Sequence, residues 1–356
     1  MRSHTLPAIV VAGFLPFISG ELLCAADQCK LGSEALERRD LQQAEGLLKQ
    51  CMAAYPSQLL PYIQLCALYQ LQGKPDELHR VASAGLKKFP EEKRFYLTVG
   101  TQAGREKRYE RALEVFSEGF RRWPDDQRFR DNLASSHLGI GMKFLDQGKN
   151  REAEKHLRQA TELAKDDLEA HLNLGRALHN LNHSIEALAE FDRVLELDPR
   201  LSLAHFHRGL VRHGLAEYDR AIEDFGREIE ITPDYPPSYL FRGLARIARG
   251  EWAGALPDLE LAAARMPENA KAQYGRARCL NQLGRKSEAE AGFRKTIELD
   301  PSDPGPLNAL GRLLVETGRS EEAEPLFQQG ARLEKERRSA APGEIHFESS
   351  RPRRPQ

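Results

Sequence analysis

Six histidines crowd one stretch of the chain: His171, His179, His183, His205, His207 and His213. A metal ion needs three or four ligands converging on one point, each oriented by a group behind it. The spacing argues against that. The interval from His171 to His205 equals that from His179 to His213, so members of a pair hold equivalent places in a repeating unit. The expectation is that His171 and His205 pack between helices, with no metal assigned. No His-Glu-x-x-His segment occurs, and no Gly-rich phosphate loop follows a strand. No cofactor and no catalytic residue are assigned, and the chain reads as a non-enzyme. Arginines share the same period: Arg208, Arg242 and Arg276 form one series, Arg212 and Arg246 another. A guanidinium is suited to carboxylates, so the question becomes which elements array these side chains.

The elements follow from four columns. Prolines recur with a 34-residue period at Pro56, Pro90 and Pro124, and again at Pro199, Pro233, Pro267 and Pro301. Twelve residues earlier stands alanine: Ala44, Ala112, Ala187, Ala221, Ala255 and Ala289, with Ala153 and Ala323 in two repeats lacking the proline. A small column runs Gly32, Cys66, Gly100, Gly141, Gly175, Gly209, Gly243, Ala277, Gly311. A bulky column runs Leu48, Phe116, Leu157, Phe191, Phe225, Leu259, Phe293, Phe327, with Ala82 as exception. Apolar spacing of three and four within each unit is helical. Each unit is therefore two helices, A and B, joined by a short turn. The small residues mark their closest approach, the bulky residue fills the wedge beyond it, and the proline ends helix B.

This pattern resembles the tetratricopeptide repeat family, over residues 25–337. Histidine (His137, His171, His205) or Tyr239 stands where the family has tryptophan. The resemblance implies an all-α, right-handed superhelical solenoid. Its expected layout is a leader at 1–26, repeats one to three at 27–126, repeats four to nine at 127–337, and a disordered basic tail at 338–356. Seven extra residues, 127–133, are read as extending helix A of the fourth repeat, because Phe129 and Leu133 fall at helical spacing; a flexible linker is the alternative.

In the family, helix A lines a concave face. The resemblance thus points to a partner-binding groove built from Leu172, Arg176, Phe206, Leu210, Leu240, Leu244, Arg246, Tyr274 and Arg278. The alternative is that the apolar members are ordinary core. Helices A of repeats six to eight carry eight Lys or Arg and no Asp or Glu, whereas helix B of repeat six carries Glu217, Asp219, Glu223, Asp224, Glu228 and Glu230. A positive inner layer favours an acidic or carboxylate-bearing protein partner; against this, Arg208, Arg242 and Arg276 could bridge to helix B carboxylates. The chaperone-tail clamp known in the family is not supported, since position five lacks Lys or Arg and position nine lacks Asn.

Composition sets the outer bounds. Lys plus Arg is 52 against 53 Asp plus Glu, a net charge of −1, which excludes a globally basic nucleic-acid binder. With 40% hydrophobic and 29% charged residues the chain is built to fold. Residues 1–26 run basic, apolar, then small, the order of a secretory signal cut after Ala26. Lipid on Cys24 and a retained N-terminal anchor are the rivals, and after cleavage no stable membrane span is expected. The reading is an exported protein-interaction scaffold, periplasmic or extracellular, or in the ER lumen in a eukaryote. Alternatives are a binding module for an anionic glycan or envelope polymer, and a structural subunit of an envelope or secretion assembly. Export also makes a Cys29–Cys51 disulfide across the first hairpin available. Cys51 with Cys66, or buried thiols throughout, are the alternatives.

Overall fold

The computed structural model describes residues 25–340. The described residues form eighteen helices and no strand. They pair as A and B: α1 (Ala25–Glu37) with α2 (Leu41–Ala54), α3 (Leu59–Gln72) with α4 (Pro75–Lys88), and α5 (Lys93–Arg105) with α6 (Tyr109–Arg122). Then come α7 (Gln127–Asp146) with α8 (Asn150–Leu163), α9 (Leu168–Asn180) with α10 (Ser184–Leu197), and α11 (Ala204–Gly214) with α12 (Tyr218–Ile231). The last three pairs are α13 (Pro236–Ala248) with α14 (Trp252–Arg265), α15 (Ala270–Gln282) with α16 (Lys286–Leu299), and α17 (Pro304–Glu316) with α18 (Ser320–Ala340). The chain divides inside α7, between Gly139 and Ile140, into two compact units. Within each, hairpins stack in sequence order, and helices A also touch the A helices of neighbouring repeats. That contact makes the helix A side the inner face of each unit.

The columns have visible causes. The alanine column is fully buried at Ala44, Ala112, Ala153, Ala187, Ala221, Ala255 and Ala289. The small and bulky columns face each other: a Cβ on Gly209 would stand 2.8 Å from the Phe225 ring, closer than packed atoms tolerate. The A–B turn always uses a left-handed residue. Gly73, Gly148, Gly250, Gly284 and Gly318 supply it, and Arg39, Lys107, Asn182 and Ala216 adopt it in the other four repeats.

Residues 127–133 form the first two turns of α7, with Phe129 and Leu133 buried. The leader lies outside the described residues except for Ala25 and Ala26, which open α1. One boundary differs from expectation, and one helix starts later in its repeat than its counterparts. α18 continues to Ala340, so 338–340 is helix and not tail; Arg337 and Arg338 complement the negative helix end, and 341–356 lies outside the described residues. α11 begins only at Ala204, after Leu203 in the left-handed region at φ 69°. The cause is Glu228. It is fully buried, accepts from the Leu203 amide at 2.9 Å and the Phe206 amide at 3.4 Å, and so caps α11 from a neighbouring helix.

In the first unit the structure joins Cys29 of α1 to Cys51 of α2 by a disulfide, with Cα atoms 5.0 Å apart. Cys66 takes no part in the bridge and is a free, buried thiol, pushed up to about 12 by burial.

Candidate functional site

The inner face of the second unit is made by α9, α11, α13, α15 and α17. The sequence-derived groove residues separate here into three groups. Phe206 and Leu240 are core, at 5% and 3% exposure, and not groove contacts. Phe206 is held by the rings of Phe225 at 5.8 Å, Tyr235 at 5.1 Å and Phe241 at 5.8 Å; Leu240 belongs to the cluster around Leu259 and Phe293. Leu172, Leu210, Leu244 and Tyr274 are half-buried, one side on the core and one on the surface. The arginines differ among themselves most.

Two buried aspartates make the difference. Asp224 of α12 and Asp258 of α14 hold the same place in successive repeats and are 2% and 5% exposed. Asp224 takes Arg208 at 2.7 Å and Arg212 at 2.8 Å, while Arg208 also reaches Asp192 at 2.7 Å. Burial raises the Asp224 carboxyl, but hydrogen bonds from His205 and Arg208 and the charges of Arg208 and Arg212 outweigh it and hold it below the usual range. Asp258 takes Arg242 at 2.6 Å and Arg246 at 2.7 Å, and Arg246 also donates to the Gly254 carbonyl at 3.0 Å. Arg246 is therefore committed to Asp258 and the Gly254 carbonyl, contrary to its expected groove role. Asp224 and Glu228, two of the helix B acids of repeat six, are interior groups.

In the next repeat the equivalent place is Gly292, which carries no charge. Its own Cβ would lie 2.8 Å from that of Ala277, so no acid fits there. Here the basic groups meet rings. The Arg278 guanidinium lies 5.8 Å from the Trp252 ring and 5.7 Å from the Tyr274 ring, and Lys271 lies 5.9 Å from Phe241. Among the described residues no carboxylate comes within 4.0 Å of Lys271, Arg276 or Arg278. Arg176 donates to the Asn173 side chain at 2.7 Å, with no carboxylate partner among the described residues.

The histidines are occupied. His207 stacks on Phe191 with centroids 5.9 Å apart; burial first, then the charge of Arg176, pushes its imidazole down to about 4. His213 meets Tyr218 and Phe241 edge-on. Among the described residues no group of three or more His, Cys, Asp or Glu could hold a metal ion. His171 and His205 do pack between helices, and each also bonds at both ring nitrogens. His171 reaches Glu190 at 2.6 Å and the Lys165 carbonyl at 2.9 Å; His205 reaches Asp224 and the Pro199 carbonyl, both at 3.2 Å. The same place serves the same purpose elsewhere: Tyr62 donates to the Pro56 carbonyl and Gln273 to the Pro267 carbonyl, each at 3.2 Å and six residues back. Where the family has tryptophan, four repeats of this chain use a hydrogen-bonding side chain that ties helix A to the preceding loop, while the last repeat has Leu307.

Two family models described as tetratricopeptide repeat match the chain, one over 138–200, 181–236 and 242–304, the other over 293–324. No curated protein matches. Similar solved structures include YrrB, titled a TPR protein with an unusual peptide-binding site, at 22% identity, 50% of this chain, 92% of that one and TM-score 0.45. MamA protein gives 22% identity, 50% of this chain, 94% of that one and TM-score 0.41. A tetratricopeptide repeat protein from Parabacteroides merdae gives 16%, 77%, 98% and 0.41. Helical hairpins recurring at a fixed period, a left-handed turn residue in every repeat, and the family models aligned over the second unit lead to one conclusion: the chain belongs to the tetratricopeptide repeat family.

Proposed function

We propose that this chain is an exported, non-enzymatic scaffold that holds an acidic or carboxylate-bearing segment of a partner protein on the inner face of its second unit. Proteins of this family are interaction scaffolds and generally lack catalysis. The observation that carries the finer reading is the change of partner along the arginine layer. Asp224 and Asp258 each pair with two arginines in repeats six and seven, whereas opposite Gly292 in repeat eight Arg276 has no carboxylate within 4.0 Å among the described residues, and neither has Arg278, which stands in the column of Leu210 and Leu244. Arg278 lies 5.8 Å from the Trp252 ring and 5.7 Å from the Tyr274 ring, on the same inner face as half-buried Leu244. A partly desolvated guanidinium next to apolar surface suits a carboxylate flanked by apolar side chains.

The test is a titration of the protein with acidic and charge-neutral peptides, read by Trp252 fluorescence in a Trp123→Phe background. Acidic peptides should bind in a salt-sensitive manner, and Arg278→Glu should abolish that binding with helical content unchanged. Leu244→Glu should weaken peptide binding but not that of an anionic glycan, which has no use for the leucine. Indifference to both salt and Arg278→Glu rejects the basic groove. Export rests on residues 1–26, and N-terminal sequencing of the native protein checks it: a start at Asp27 supports cleavage, and an intact Met1 in the cytoplasmic fraction rejects it.

A further inference from the structure

We propose that His171 is a proton-operated clasp on the connection between α8 and α9. Its two ring nitrogens face acceptors only: a Glu190 carboxylate oxygen from Nδ1 and the Lys165 carbonyl from Nε2. Neither acceptor can donate, so both bonds require a proton on both nitrogens, the imidazolium form. The neutral ring keeps one N–H and must release either α10 or the loop. The charged groups facing the ring are Glu190 and Arg193, both on α10, with the hydrogen bond donated to Glu190 first among the influences that raise its titration, against burial. Among the described residues, α8 and α11, which also pack on α9, set no titratable group against it. Side-chain exposure of 12% for His171 and 21% for Glu190 keeps the pair partly shielded from water.

The chain carries its own controls. Gln273 holds the same place in a later repeat and donates to the equivalent carbonyl, Pro267 O, with a group that does not titrate. His205 shares its carboxylate with Arg208 and Arg212, so Asp224 stays paired whatever that ring does. Of these two histidines, His171 is the one whose carboxylate has no second partner among the described residues: Glu190 pairs with the imidazole alone, whereas Asp224 also holds Arg208 and Arg212. Arg193 holds the same loop through Asp166 at 2.6 Å, and that exposed pair remains when the clasp opens. α9 also carries Leu172 and Arg176, so opening would regulate the groove. That consequence rests on the proposed function, whereas the clasp is tested without any partner.

The experiment is amide hydrogen exchange on the full chain at pH 5.5 and 8.5, with protection at 165–171 referred to protection at 267–273 in the same molecule. Losing one charge-assisted hydrogen bond should lower the ratio about tenfold at the higher pH. His171→Gln should make the ratio independent of pH, as at Gln273. Glu190→Gln should move the loss of protection to lower pH, and NMR should place the wild-type His171 titration above the ordinary histidine value. A flat wild-type ratio, a His171→Gln variant that follows the wild type, or a His171 titration at or below the ordinary value would each overturn the proposal.

Discussion

Gly209 and Gly226 lie in the same hairpin, one on α11 and one on α12, and replacing each by alanine separates helix propensity from packing. At 209 the new Cβ would meet Phe225 at 2.8, 3.0 and 3.1 Å. That ring is fully buried and boxed by Phe206 at 5.8 Å and Phe241 at 6.0 Å, so it has nowhere to turn. At 226 the nearest atom is the Arg242 Nη1 at 3.8 Å, ordinary contact with a flexible end. Both changes gain roughly 1 kcal/mol of helix propensity. Only Gly209→Ala adds overpacking, about 1–3 kcal/mol. Gly226→Ala should therefore stabilise by about 1 kcal/mol, and Gly209→Ala should lie about 1–3 kcal/mol below it. Urea unfolding followed by far-ultraviolet circular dichroism measures both, with equal slopes required for the comparison. Equal shifts of the same sign in the two variants would refute the account of the small and bulky columns.

Ala216 adopts φ 59° in an A–B turn where five repeats place glycine, so Ala216→Gly should raise the unfolding free energy by up to about 1 kcal/mol, and Gly250→Ala should lower it comparably, both read by urea unfolding. The Cys29–Cys51 link closes a separation of 22 residues, worth about 3 kcal/mol in the chain-entropy model, so Cys29→Ala should loosen the first hairpin in hydrogen exchange. Thiol counting on the unfolded, unreduced native protein checks the bridge, since four reactive thiols from Cys29, Cys51, Cys66 and Cys279 would exclude it. His207 is held neutral, its imidazole pushed down from 6.5 to about 4, so the stability it contributes is complete above 6.5 and lost as pH falls through about 4. His207→Phe, which keeps the stack on Phe191, should flatten that acid-side loss in midpoints taken between pH 7 and 4.

The fold was legible because every hairpin repeats one local solution. Gly175 against Phe191 and Gly209 against Phe225 are the same contact one repeat apart, so a column in the sequence is a contact in space. The late start of α11 was not legible from periodicity, though a sign of it stood in the chain. The place of Glu228 holds Cys51, Gly85, Gly119, Ala160, Val194, Ala262 and Thr296 in other repeats, all small or mid-sized and all buried. A glutamate there breaks the column, and a buried carboxylate must find donors. It found backbone amides, which shortened the helix. Reading it as one more solvated charge on an acidic helix hid that consequence.

The candidate site shows the same division between what a column reveals and what burial adds. Periodicity places Arg208, Arg242 and Arg276 at one level of the inner layer, and their equivalence suggests equal roles. Whether a guanidinium is structural or available depends on the residue opposite it on helix B. That residue is aspartate twice, then glycine. A buried aspartate cannot remain unpaired, so Asp224 and Asp258 bind two arginines each and turn them into supports for the helix crossing. Gly292 makes no such demand, and it is glycine because Ala277 occupies the space. The positive layer is thus graded: hydrogen-bonded to buried acids in repeats six and seven, without a carboxylate within 4.0 Å at Lys271 and Arg278 in repeat eight among the described residues. The same logic tells against Phe206 and Leu240 as contacts, since a place half-buried in one repeat becomes core where a neighbouring aromatic covers it. On the proposed function, recognition is written in the departures from the repeat, while the repeat itself supplies only the positions from which they act.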